Sequence, residues 1–351
     1  MQKRSTFIDG LRGIAALAVC LFHALRGSHI DIVPTDVMSV LVLGEAGVAI
    51  FFVISGFVIT QSLLRSDLSF GGIGNFILRR SIRLDPPYWA AIAIAVGFSV
   101  LANAVVPGRP TVDYSAGQFV AHLFYMQDIL GYQHINPVFW TLCYEIQFYV
   151  VAAVIIASRS TVVVVAAFVA SLLWPMDLAP EMRGVFVNLF YSFLIGAGAM
   201  YAQQRAAVRP WFLAYLALVF ASAIVNANLF ALISSLAGLM LFSVAIAGKL
   251  HSLLNWRWLQ FLGMISYSLY LTHNPITGAT FRIWYMIAGT SPASQVIGFV
   301  LSVCSCVLFA WLMYTVIEKP CIGLARSSAR LTWPPAFRRQ MAAKTETAAP
   351  L

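Results

Sequence analysis

The chain has 351 residues, of which 60% are hydrophobic and only 10% charged, and its mean hydropathy is +0.84. No soluble globular domain of ordinary charge content has that balance, so the class is a polytopic membrane protein. The formal net charge of +9 invites a nucleic-acid reading, but the basic residues fall in short clusters between apolar runs and form no basic stripe, which excludes that partner.

Lys3 and Arg4 precede an apolar run as in a signal peptide, yet no small-residue cleavage site in a polar segment follows, so the first helix is expected to be retained. That helix, Phe7 to Leu25, carries Asp9, Arg12 and His23. Arg12 and His23 are eleven positions apart; at 3.6 residues per turn they return to within roughly 20° of one direction, about 16 Å apart along the axis. Asp9 falls within roughly 60° of the same face. An ionisable stripe on a lipid-compatible cylinder is costly and is read as functional; the plainer alternative is that Asp9 and Arg12 pair at the membrane edge and His23 caps the helix end.

Further runs long enough to span a bilayer, about 17 to 25 residues, bring the expected number of spans to about ten. They cover 8–26, 39–64, 87–106, 139–157, 161–177, 185–204, 210–226, 229–249, 267–287 and 294–317. Two junctions are crowded, at Arg159 and at Asn226 to Asn228, where a connection of a few residues must turn the chain sharply. An even number of spans puts both termini on one side. With a cytoplasmic N-terminus, Lys3, Arg4, Arg65, Arg79, Arg80, Arg83, Arg159, Arg205, Arg209, Lys249, Arg257 and the basic residues beyond Lys319 lie inside, and only Arg26, Arg109 and Arg183 outside. That bias is the one that sets membrane orientation.

Between the second and third spans, Asn75 to Asp85 reads as a short basic cytoplasmic helix ended by Pro86 and Pro87. Arg80 and Arg83 share one of its faces. Such a pair suits phosphate, because guanidinium is a permanent planar donor fork, and suits anionic lipid headgroups equally. The outer stretch from Pro107 to Phe139, with His122, Tyr125, Tyr132, His134 and Asn136, is too long for a tight connection and reads as a lid or an acceptor-binding surface.

Within the apolar runs, Ser55 and Gly56 form a small notch suited to helix packing. Glu145 is placed near the depth of His23, either orienting a histidine base or pairing with a basic neighbour. His273, near the inner end of the ninth span ahead of Pro275, reads as a satisfied structural histidine. The five cysteines, Cys20, Cys143, Cys304, Cys306 and Cys321, have no CxxC or metal-ligand spacing and read as free thiols, so no metal is expected. The spans form one domain, 1–320, followed by a basic tail, 321–351, of low apolar periodicity.

Six stretches, taken together, resemble the acyltransferase 3 family of integral membrane acyltransferases. They are Phe7 to His23 (FIDGLRGIAALAVCLFH), Gly47 to Ile59 (GVAIFFVISGFVI), Phe76 to Tyr88 (FILRRSIRLDPPY), Trp140 to Tyr149 (WTLCYEIQFY), Ser266 to His273 (SYSLYLTH) and Val316 to Pro320 (VIEKP). The most specific is Arg or Lys, ten residues, then His, met by Arg12 and His23; the family's cytoplasmic RxxR is met by Arg80 and Arg83. Thr141 stands where the family more often has Ser. The resemblance implies transfer of an acyl group, commonly acetyl, from cytoplasmic acyl-CoA to a hydroxyl, most often of a sugar in surface or exported polysaccharide, lipopolysaccharide or an antibiotic. It implies His23 with Arg12, Asp9 and Glu145 at the reaction centre, Arg80, Arg83 and Arg12 on the donor, and Ser55, Gly56, Trp140, Tyr149, Tyr267 and His273 as further motif positions. No bound cofactor is implied beyond the acyl-CoA co-substrate, and the place is a bacterial inner membrane. The soluble SGNH hydrolase-like domain fused to some members is not expected here, so its contribution is absent or falls to a separate periplasmic partner. The rival from another class is a multi-span transporter of a small anionic solute or lipid-linked sugar, but the two halves show no internal repeat.

Overall fold

The computed structural model describes residues 5–27, 29–32, 44, 47–105 and 113–331. Among these there are helices and turns and no strand. In chain order the helices are α1 (Thr6–Arg26), α2 (Gly47–Leu64), α3 (Phe70–Val105), α4 (Ala116–Leu123), α5 (Trp140–Ala157), α6 (Thr161–Ser171), α7 (Phe190–Gln204), α8 (Arg209–Val225), α9 (Leu229–Ile246), α10 (Arg257–Ala288), α11 (Pro292–Met313) and α12 (Lys319–Leu331). A π-helical turn, Tyr314–Glu318, joins α11 to α12. Seven helical segments are long and apolar enough to cross a membrane, which makes this a multi-pass membrane protein.

Every expected span holds a helix; residues 39–43, 45 and 46 of the second span lie outside the described residues, the third belongs to a helix that starts at Phe70, and three more differ from the expectation. The 161–177 run is helical only over Thr161–Ser171, a length of about 16 Å, roughly half the hydrocarbon thickness. The 185–204 run opens with a 3-10 turn, Phe186–Leu189, and the ninth helix begins at Arg257, ten residues ahead of its expected start. Both crowded junctions do turn the chain sharply: Arg159 and Ala227 adopt left-handed φ of 51° and 50°. Ser160 and Asn228 then cap the helices that follow, accepting from the backbone N–H of Val163 and Ala231.

Pro86 and Pro87 do not end a helix. They lie inside the 36-residue α3, which joins the expected basic helix to the third span without a break. Proline lacks the N–H that would bond four residues back, so the carbonyls of Ile82 and Arg83 lose their helical partners. Next to them, the Leu84 carbonyl accepts from the Tyr267 hydroxyl at 3.0 Å, tying the proline-bearing segment to α10. Pro275 is likewise internal to α10. It frees the Leu271 carbonyl, which Asn136 Nδ2 takes at 3.1 Å. The expected domain boundary at 320 falls inside α12, and residues beyond 331 of the tail lie outside the described residues.

Helices α1 and α10 run side by side in the same direction. The Phe7 N–H donates to the Leu250 carbonyl at 3.0 Å, and a Cβ on Gly13 would stand 2.8 Å from the Gly263 nitrogen. A Cβ on Gly263 would collide with the Asp9 carbonyl. These glycines allow the two backbones to touch, as membrane helices without a hydrophobic drive between them require. Gly56 does the same for α2 against α7, where a Cβ would collide with the Phe193 carbonyl oxygen. The main apolar core gathers α2, α5, α7 and α9, and a second cluster lies between α1, α10 and α11.

Candidate active site

The polar stripe of α1 opens at its Arg12 end onto a cavity of about 80 Å³ lined by Arg12, Ser55, Arg80, Arg83, Glu145 and Tyr149, among others. The cavity brings together residues from α1, α2, α3, α5 and α10. Arg80 donates to the Tyr149 hydroxyl at 3.2 Å and lies 4.7 Å from the centre of the same ring, a hydrogen bond and a cation–π contact on one side chain. The Tyr149 hydroxyl donates to Glu145 Oε1, which also accepts from Ser55 Oγ at 2.8 Å. The Nε atoms of Arg80 and Arg83 are buried with no hydrogen-bond partner among the described residues. Three guanidinium groups on one small cavity, with donors to spare, form a site for an anion rich in oxygen acceptors.

A further carboxylate belongs to this group. Glu318 is buried, accepts from Ser268 Oγ at 2.7 Å, and acts electrostatically on Arg83 together with Arg12 and Arg80. In the sequence it lies in the VIEKP stretch at the end of the last span, with no role of its own to read. The π turn that places it in the interior, a feature common at functional sites, leaves no mark on the local sequence pattern.

At the other end of the stripe stands His23, half-buried. Its Nδ1 lies 3.0 Å from the Val19 carbonyl oxygen. A carbonyl only accepts, so Nδ1 carries the proton and Nε2 the lone pair, the form a general base needs. Glu145 is not what orients this ring; it belongs to the Arg80–Tyr149 network. His273 is not near a helix end. Because α10 starts early, it comes level with His23, fully buried, with ring centroids 5.0 Å apart. Tyr270 links the cavity to the two rings: it lines the cavity beside Phe51, whose ring is 5.7 Å away, and its own ring lies 6.0 Å from that of His273. The Tyr270 hydroxyl is paired with Thr141 Oγ1 at 2.8 Å, a contact that the hydroxyl of either Thr or Ser provides.

Of the other expected site residues, Tyr267 alone lines this cavity. Asp9 is half-buried in the first turn of α1, where an acid suits the helix dipole, and is not in the cavity lining. Trp140 packs edge-on against Phe52 and Tyr144. Tyr267 lines the cavity and spends its hydroxyl on Leu84. In the 113–139 stretch, Tyr125 donates to Asp85 at 2.9 Å and stacks on Tyr88. His122 is a satisfied ring, with Nδ1 on Gln118 O at 2.8 Å and Nε2 accepting from the Ile135 N–H at 3.1 Å; burial lowers its pKa. Residues 107–112 of that stretch lie outside the described residues. Among the described residues no three His, Cys, Asp or Glu side chains gather as a metal site.

Comparison with known proteins identifies the family. A family model described as "Acyltransferase domain" matches residues 5–314. The chain is 26% identical over 348 residues to a protein of Komagataeibacter xylinus named as a membrane-bound transacylase, BcsY, covering 91% of this chain and 83% of that one. It is 29% identical over 156 residues to nodulation protein 10 of Rhizobium leguminosarum bv. viciae, covering 40% of this chain and only 41% of that protein. No solved structure matches. With the match running from the first turn of α1 to the π turn after α11, the chain belongs to the acyltransferase 3 family of membrane acyltransferases.

Proposed function

We propose that this protein transfers an acyl group, commonly acetyl, from cytoplasmic acyl-CoA to a hydroxyl of a sugar in a surface or exported glycan, with His23 as general base. One observation carries the reading: three arginines, two of them with a buried Nε that has no partner among the described residues, share a cavity at one end of the α1 stripe, and a histidine with its lone pair on Nε2 stands at the other end. In this reading Arg12, Arg80 and Arg83 hold the phosphates of the donor, and its long thiol arm passes Phe51 and Tyr270 toward His23. His23 Nε2 takes the hydroxyl proton as the oxygen bonds to the thioester carbonyl carbon. The C–S bond then breaks with its electron pair on sulfur, and the proton passes from His23 to the departing thiolate. A thioester is already activated, so this chemistry needs only a base and a positioned donor.

The reading places the protein in a bacterial inner membrane with about ten spans and both termini cytoplasmic. Arg80 and Arg83 then face the donor compartment, and His23 faces the outer half of the bilayer. The test is His23→Gln, which keeps polarity and approximate size but takes no proton at neutral pH. Acyl transfer per folded molecule should fall by about 10² to 10⁴-fold while acyl-CoA binding persists. Near-normal turnover in that variant would remove His23 as the base.

A further inference from the structure

The two histidines at the end of the α1 stripe are held in the same way. His23 Nδ1 lies 3.0 Å from the carbonyl oxygen of Val19, four residues back, and His273 Nδ1 lies 3.1 Å from that of Leu269, also four residues back. Both neutral rings therefore carry the proton on Nδ1 and the lone pair on Nε2. His122 shows what a purely structural histidine does with that lone pair: it accepts the Ile135 N–H. His273 does not. It is fully buried, and its Nε2 has no hydrogen-bond partner among the described residues. Its neighbours leave that atom alone, since Cys306 Sγ contacts the His273 backbone carbonyl instead and the Tyr270 hydroxyl is engaged by Thr141.

A buried acceptor without a donor costs free energy, and such a group calls for a state of the molecule that uses it. Two lone pairs cannot bond to each other, but one proton added between two imidazoles makes an N–H to N hydrogen bond. His23 acquires such a proton in the reaction proposed above, on which this inference rests. We propose that His273 is a positioning residue for the transfer, its Nε2 accepting from the protonated His23 between removal of the hydroxyl proton and its delivery to the departing thiolate. The proton count is unchanged: the hydroxyl loses it, the pair shares it, and the sulfur receives it. With ring centroids 5.0 Å apart and planes at 66°, a small tilt of His23 is enough once the acceptor oxygen has bonded to carbon. A charged ring in a dry site gains far more from such a bond than it would in water.

The experiment compares His273→Phe with His273→Gln in the full-length protein in lipid. Turnover is counted per folded molecule by acyl-CoA binding sites. Phe keeps a ring and hides no polar atom; Gln is less compatible with apolar surroundings but offers a carbonyl oxygen as acceptor. The expected result is a fall in kcat of about 10- to 100-fold for Phe, the worth of a charge-assisted hydrogen bond, with KM for donor and acceptor unchanged. Gln should recover most of that loss. A packing role predicts the reverse order, with Phe at or above Gln, so that order would overturn the proposal, as would equal turnover in all three proteins or a rise in KM that accounts for the loss. The two readings separate cleanly. A wild-type protein that binds acyl-CoA and acylates no hydroxyl sinks the transferase mechanism, whereas an active wild type matched by His273→Phe sinks only the role of His273.

Discussion

Tyr149→Phe removes one oxygen and thereby tests whether the arginine cavity is a connected device. The hydroxyl accepts from Arg80 at 3.2 Å and donates to Glu145, and hydrogen bonds to charged partners are worth about 1.5–3 kcal/mol each. The two share one atom and Glu145 keeps Ser55, so the combined loss should be nearer to one bond than two, about 2–3 kcal/mol. The ring remains under Arg80 at 4.7 Å, so its cation–π contribution of about 0.5–2 kcal/mol survives. Thermal unfolding in lipid should show the stability loss. Donor KM should rise about fivefold, close to 1 kcal/mol, because Arg80 is still present but no longer held, while kcat should change little. Arg80→Lys should cost less in the Tyr149→Phe background than in the wild type, with a coupling above about 0.5 kcal/mol. Full additivity, or a loss in kcat with donor KM unchanged, would show that Arg80 and Tyr149 are neighbours without being partners.

Asn136→Ala should destabilise by about 1–3 kcal/mol, because the Leu271 carbonyl freed by Pro275 loses its donor in a buried place; adding Pro275→Ala, which restores a backbone N–H, should return part of the loss, and no relief in the double variant would refute the pairing. Reporter fusions after Ser66 and after Arg330 should report cytoplasm, and one after Gly108, which lies outside the described residues, the opposite side. A cytoplasmic signal at Gly108 would reverse the placement of His23.

What the sequence showed and what it hid follow from the range of the physics involved. The α1 stripe was legible because helical geometry alone fixes which residues share a face, and Arg12 does enter the cavity that Arg80 and Arg83 also line. The crowded turns at Arg159 and Asn226 to Asn228 were legible for a similar local reason. Pro86 and Pro87 misled because their effect on a helix depends on whether neighbours take up the freed segment, and Tyr267, far along the chain, does so at Leu84. His273 was placed too near a helix end because hydropathy marks the apolar part of α10, whereas the helix itself starts at Arg257. Glu145 was placed by depth along its own helix; its partner Ser55 comes from a second helix, and Arg80, on a third, reaches it through Tyr149. Glu318 was hidden by a π turn that no residue pattern announces.

The glycine contact between α1 and α10 also bears on how the protein is made. Gly13 meets Gly263, 250 positions later; at synthesis rates of about 5–20 residues per second, roughly 12 to 50 seconds pass before the partner of the first helix exists. Throughout that interval Arg12 and His23 must reside in the bilayer or its insertion machinery without the helix that completes their surroundings. His23 has no second histidine beside it until α10 arrives. A ribosome-bound fragment that ends before Arg257 therefore carries Arg12, Arg80, Arg83 and His23 without Tyr267, Tyr270 and His273, the α10 residues that adjoin the cavity and the His23 ring.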